Sequence, residues 1–415
     1  MRPAALAAYG ALGLPLAMVA LPVYMQVPSW YYGQIGLALP VSGAVLFCAR
    51  VLDTGQDPWL GRLVDALLRR RRLGAALWIA AGVLALAFGG LWFPPRGGPG
   101  WVPVAWLALM LGLTYSAHSL LNIALLAWGA RVTPDTGGRT LAATWRESAG
   151  LVGVLLAIIV AALITGGTGE HARAAMALYA VAFALILALA LAALMHLAPR
   201  WVPGADPAPQ RRPPAPAAVR RLWLPYTVNA LAVAIPGTLA LFFIADQIAR
   251  PQWTGAYLAS YFLSGAAATP VWARVSRRIG PARAWATAMC VAISTFLWAV
   301  FLRPGDALAF EAVCVFSGLA LGADVVLPPV LLAAAIPSEH DPAAYYGVWT
   351  LLGKFATALS ALALPLLSWL GYRPGSAPGA SIALPLAYAA IPCALKLAAL
   401  LLLVVLVIAK EKESA

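Results

Sequence analysis

Apolar residues in this chain come in long runs, and polar residues gather in the short stretches between them. The runs are long enough for a helix to cross the ~30 Å hydrocarbon core of a bilayer, which takes about 18 residues or more. Backbone polar groups in lipid must be bonded internally, so each run is expected to be a helix. The short alternating segments of a membrane β-barrel are not the pattern here. The runs predict helices over residues 4–27, 33–60, 75–94, 101–130, 141–166 and 172–197, and then over 222–247, 252–273, 281–302, 307–336, 344–369 and 382–409. The expected fold class is all-α: a polytopic membrane protein of twelve transmembrane helices.

One stretch interrupts the pattern. Residues 198–221, APRWVPGADPAPQRRPPAPAAVRR, are rich in Pro and Arg and unsuited to a membrane helix. They divide the chain into a six-helix bundle over 1–197, a cytoplasmic linker over 198–221, a second six-helix bundle over 222–409 and a cytoplasmic tail over 410–415. The second-to-third helix loop, GRLVDALLRRRRLGAA (61–76), and the eighth-to-ninth, ARVSRRIGPARAWA (273–286), are both short and basic. Their matching positions suggest a repeat, and transporters built from repeats bind substrate near the midplane between them.

Composition agrees: 62% of the 415 residues are hydrophobic and 10% charged, too apolar for a soluble fold. The net charge of +13 does not point to nucleic acid, because it is unevenly distributed. Arg69 to Arg72, Arg200, Arg211, Arg212, Arg220, Arg221, Arg274, Arg277, Arg278 and Arg283 fall in loops on one side. Only Arg96, Arg173, Arg250, Arg303 and Arg373 fall in loops on the other. Positive-inside asymmetry then places both termini in the cytoplasm, in an inner-membrane setting. The N-terminal apolar stretch is longer than a signal-peptide core and lacks a small-residue cleavage site. Cys48, Cys290, Cys314 and Cys393 all fall within helices and are expected to be small core residues.

Ionisable groups inside membrane helices are costly, which makes each a functional candidate. Here they are Arg50, Asp53, Asp57, Arg146, Glu147, Asp324, Lys354 and Lys396, with Glu311 near an outer end. Asp53 and Asp57 are four residues apart and share one helix face, with Arg50 a turn earlier. Two neighbouring carboxylates repel unless one takes a proton or a cation sits between them, which is what a coupling-ion site requires. Gln56 and Ser119 can add oxygen ligands for a hard cation. The plainer reading is a frayed cytoplasmic helix end marked by Pro58 and Gly61. Asp65 differs: beside the arginines, it reads as a loop contact that stabilises one conformation.

Arg146 is expected to pair with Asp53 or Asp57 when the cation is absent, with Glu147 pointing elsewhere. Its alternative is a snorkelling end-of-helix arginine. Lys354, about ten residues into its helix, is expected to line a cavity, with Asp324 as its natural partner. A purely structural Asp324–Lys354 pair is the alternative. Lys396 reads as packed or snorkelling. His118 and Asn122, one turn apart, line a cavity or bond between helices. Tyr24, Tyr257, Tyr261, Phe262 and Trp349 are candidate pocket aromatics, or simply core and interface residues.

The segment Asp53-Thr-Gly-Gln-Asp57-Pro58-Trp-Leu-Gly61, continuing through Asp65 into a basic loop, resembles the second-helix signature of the melibiose permease family, the glycoside–pentoside–hexuronide:cation symporters of the major facilitator superfamily. YGALGLPLAM (9–18), NIALLAWGARVTPDTGGRTLAATWRE (122–147) and YYGVWTLLGKFATALSALALPLLSWLGYRPG (345–375) are similar to other regions of that family. The resemblance implies the major facilitator fold and a sodium, lithium or proton site at Asp53 and Asp57, with Gln56 and Ser119 in the places of further oxygen ligands. It also implies that Arg146 and Lys354 are cavity cations. Sugar-binding members place carboxylates in the first and fourth helices, where this chain has Pro15 and Asn122. The likeness is therefore stronger for ion coupling than for the substrate, and the superfamily branch includes carriers of lysolipids.

The expected function is cation-coupled symport of a small, sugar- or glycoside-like solute by a monomer in the bilayer, with Na+ or H+ as the coupling ion and no other cofactor. A lysolipid or amphiphile carrier is the alternative. A membrane enzyme or receptor is remoter, since no His-Glu-x-x-His motif or Ser-His-Asp set is present.

Overall fold

In the computed structural model, the described residues are 3–410 apart from 26, 96–98, 166–169, 202–214, 374, 376, 377 and 380. Most of the Pro/Arg-rich linker and the tail from 411 onward lie outside the described residues.

The first apolar run is two helices rather than one, α1 (Pro3–Ala11) and α2 (Gly13–Met25), followed by α3 (Val27–Ile35). The second is a single 31-residue helix, α4 (Leu39–Arg69), nine residues longer at its C-terminal end than the apolar pattern indicates. Pro58 lies inside it. A membrane helix tolerates such a proline because neighbouring groups satisfy the freed carbonyl. The chain then turns sharply through Arg71 (φ 56°) into α5 (Leu73–Leu91). Next come α6 (Trp101–Arg131), α7 (Thr136–Thr165) and α8 (Glu170–Leu197).

Beyond the linker, α9 (Ala217–Phe242) runs into a π-helical turn, Phe243–Gln247. It is followed by α10 (Thr254–Ile279), α11 (Pro281–Phe296), α12 (Ala307–Ala335), α13 (Ala343–Ser360) and α14 (Ala363–Trp369). The last predicted run is α15 (Ala383–Pro385), a π-helical turn and α16 (Ile391–Leu403), closed by a second π-helical turn, Val404–Ile408. Among the described residues, nine helical spans are long and apolar enough to cross a membrane by length and composition. Leu86, Leu178, Leu189 and Val405 are largely exposed, as lipid-facing residues are. The protein is a multi-pass membrane protein.

The chain divides into two compact units. One comprises Met1–Pro134, Trp145–Ala205 and Glu339–Leu351, and the other Asp135–Thr144, Asp206–Ser338 and Leu352–Ala415. In the first, Phe88 of α5 and Trp92 just after it meet Trp30, Tyr179 and Phe183 in edge-on and tilted contacts, with ring centroids 4.6–6.0 Å apart. A β-carbon on Gly10 would sit 2.6 Å from the backbone of Trp145. Only glycine lets α1 press this closely on α7, and that contact fixes where Arg146 begins. In the second unit, Phe243 stacks on Tyr388 with centroids 4.0 Å apart, and Phe310 and Tyr257 complete the cluster.

Two of the cysteines depart from expectation. Cys314 and Cys393 are buried, but Cys48 and Cys290 are exposed; all four are free thiols. Helical periodicity alone does not say which side of an all-apolar helix faces the core.

Candidate functional site

The extended α4 carries the first unit's acidic groups on a buried stripe. Asp53 is 5% exposed, and Asp57 and Asp65 are fully buried. Their spacings of four and eight residues keep all three on one side of the helix. Because α4 continues to Arg69, Asp57 and Pro58 are not at a frayed end.

Asp53 anchors a polar cluster between α4 and α6. The Ser119 hydroxyl donates to Asp53 Oδ1 at 2.8 Å, and Gln56 Nε2 donates to the same oxygen at 3.2 Å. Gln56 Oε1 in turn accepts from Ser116 at 2.9 Å. Gln56 thus presents its nitrogen, not its oxygen, to Asp53. In this arrangement it orients the carboxylate instead of supplying the oxygen ligand expected of it. Ser116 escaped notice in the sequence, although it lies three residues before Ser119 and so on the same face of α6. Arg50, a turn before Asp53, places its guanidinium 5.6 Å from the Tyr115 ring centre.

Arg146 is buried beside α1, and its guanidinium is taken by Glu147, with Nε donating to Oε1 at 2.9 Å and Nη2 to the same oxygen. This corrects the expected pairing of Arg146 with Asp53 or Asp57. The Arg146 side chain packs close to Gly13, where a β-carbon would sit 3.2 Å from its Cγ. His118 Nε2 donates to the Leu16 carbonyl at 3.0 Å, a bond between α6 and α2. Asn122, one turn further on, is half-buried. Trp349 is 3% exposed. The side chain of Tyr24 lies outside the described residues.

Asp65 is a second correction. It is a helical residue, not part of a loop, and its two oxygens accept the backbone N–H groups of Ala343 and Ala344, each at 3.0 Å. These are orphan donors in the first turn of α13, where the helix dipole favours a negative charge. Nearby, Arg69 pairs with Asp341, and Arg131 donates to the His340 carbonyl at 2.6 Å. Gly61 and Gly347 make the α4–α13 approach possible. A β-carbon on Gly61 would overlap the Ala343 carbonyl, and one on Gly347 would overlap the Asp57 carbonyl.

In the second unit, the expected Asp324–Lys354 pair does not form. Asp324 Oδ2 bonds Lys396 Nζ at 2.7 Å, and its Oδ1 accepts from Trp285 Nε1 at 2.9 Å and Asn229 Nδ2 at 3.2 Å. Lys396 also donates to Asn229 Oδ1 at 2.8 Å. The lysine read as packed or snorkelling is therefore the buried partner. Sequence spacing could not show that α16 lies beside α12 and α9. Lys354 is half-buried in the later part of α13.

Among the described residues, no group of three or more His, Cys, Asp and Glu gathers as a metal site. A pocket of about 220 Å³ lies in the second unit, walled by Leu231, Ile235, Leu359, Leu366, Ile391 and other aliphatic residues, with Ser360 as its polar member.

The fold is shared with known transporters. A bacterial homologue of the iron transporter ferroportin, in an outward-facing state, matches with a TM-score of 0.70 and 17% identity over 98% of this chain and 99% of its own. The fucose:proton symporter of E. coli, FucP, matches at 0.65 and 12% identity over 97% of each chain. A structure of FucP in the outward conformation matches at 0.67 and 12%, over 98% and 99%. No curated protein sequence matches the chain. The sequence matches the family described as MFS/sugar transport protein over residues 6–410, a family of transporters rather than enzymes. The chain is thus a member of that family and a transporter of the major facilitator superfamily.

Proposed function

We propose that the protein is a cation-coupled symporter of a small, sugar- or glycoside-like solute, with Asp53 and Asp57 as its coupling-ion site. The observation that carries this reading is the burial of both carboxylates on one face of α4 within an apolar helical unit, with Ser119 on Asp53. Such a pair strongly favours uptake of Na+ or H+, because the doubly ionised state is costly in low dielectric. The likeness to a fucose:proton symporter is compatible with a polar solute driven by an ion.

In the proposed cycle, the cation neutralises the acidic pair and the solute then enters a cavity to which Arg146 and Asn122 contribute. Coupling needs only that ion and solute each favour the same occluded state. Asp65 of α4, bonded to the first turn of α13, holds one conformation until that point. Alternating access then carries the solute across the bilayer. By charge asymmetry, the termini and the linker face the cytoplasm. The protein works as a monomer in the inner membrane.

An amphipathic substrate such as a lysolipid is a second reading, favoured by the aliphatic pocket between α9, α13–α14 and α16, which suits an acyl chain. The two readings separate in a thermal-shift screen of sugars, glycosides and lysolipids with and without sodium. A sugar that stabilises only with the ion supports the first, and a lysolipid that does so without it supports the second.

A further inference from the structure

Lys396 lies midway along the 26-residue span Ala383–Ile408, where snorkelling to either surface is beyond its reach. Its side chain is 9% exposed, and that of Asp324 is 8%. The ammonium nitrogen is held by two oxygens from two other helices, a carboxylate oxygen of Asp324 at 2.7 Å and the amide oxygen of Asn229 at 2.8 Å. Trp285 Nε1 and Asn229 Nδ2 fix the second carboxylate oxygen. A carboxylate and an amide carbonyl converging in a dry site are the donor set that a hard monovalent cation prefers. The first unit offers an acid of the same kind, Asp53, with a hydroxyl from α6 beside it.

We propose that the Lys396 ammonium is a tethered cation filling a monovalent-cation site of the second unit, whose ligands are Asp324 and Asn229. The site accepts alkali-metal or small alkylammonium ions once the lysine is cut back, and in the native protein it never exchanges. The second unit therefore carries a fixed charge, and ion exchange is confined elsewhere. This inference does not depend on Asp53 and Asp57 being the coupling site.

The test is thermal unfolding of detergent-purified Lys396→Ala in choline buffer, titrated with methylammonium. Wild type and the double variant Asp324→Asn, Lys396→Ala are run alongside. The expected result is a Tm several degrees below wild type for the single variant, with at least half of the loss regained saturably as methylammonium fills the space of the missing ammonium. Wild type and the double variant should not respond. Absence of recovery in the single variant, or an equal recovery in the double variant, overturns the proposal. If Lys396→Ala does not survive purification in choline, the protein is prepared throughout in methylammonium. Folded protein obtained only there supports the proposal, and failure in both media overturns it.

Discussion

The carboxylate of Asp65, near the end of α4, accepts the backbone N–H groups of Ala343 and Ala344 in the first turn of α13 at 3.0 Å each. A buried charge is thereby satisfied by the two donors that the helix start leaves without intrahelical partners. Asp65→Ala should cost about 1.5–3 kcal/mol per charged hydrogen bond lost, less any water that enters. Asp65→Asn should keep part of the bonding and lose the dipole contribution of about 0.3–1 kcal/mol. Thermal unfolding of the purified variants should rank them wild type, Asn, Ala. Equal stability for wild type and Ala would contradict the bond's role.

Gly347→Ala tests the close approach that this contact permits. The added methyl would overlap the Asp57 carbonyl, and both atoms are backbone-anchored, so the helices must separate. Initial uptake should fall at least tenfold while expression stays near normal. Gly43→Ala, whose β-carbon meets nothing within 4 Å, should leave uptake unchanged and serves as the control.

Ser119 donates to Asp53 from the neighbouring helix. Ser119→Ala should weaken the apparent affinity for the coupling cation by about 1 kcal/mol, roughly fivefold in half-saturating concentration. The maximal uptake rate should change little. A loss confined to the maximal rate would place Ser119 outside the cation site.

Arg146 and Glu147 form a pair whose arginine side chain is only 7% exposed. Removing one partner leaves the other uncompensated, and breaking such pairs costs about 3–5 kcal/mol. The half-buried state of Glu147 lowers that figure, because water can approach it. Glu147→Gln should reduce Tm, and adding Arg146→Met should restore most of the loss. A double variant no better than the single one would show that the two charges do not depend on each other.

The all-helical, membrane-spanning character of the chain was legible because apolar length is a direct physical requirement of a bilayer. The end of α4 was not. Arg62, Asp65 and Arg69 mark the close of the apolar run, yet they sit on a helix that continues, because hydropathy reports lipid depth and not backbone conformation. The acidic stripe was legible, since four-residue spacing fixes a common face whatever the surroundings. Partners were legible only in part. The Ser119–Asp53 bond was foreseeable as chemistry, whereas the bond of Asp324 to Lys396 instead of Lys354 depends on which helices adjoin. Glu147 was read as pointing away because neighbours in sequence diverge on a helix. The length of the two side chains lets their charged ends meet all the same.

The most direct test is cation-driven uptake by Asp57→Asn in proteoliposomes, with an imposed sodium or proton gradient and a solute identified in the thermal-shift screen. The central claim predicts that the gradient no longer accelerates uptake, although the variant inserts and binds solute. Uptake that keeps its full dependence on the gradient would contradict it.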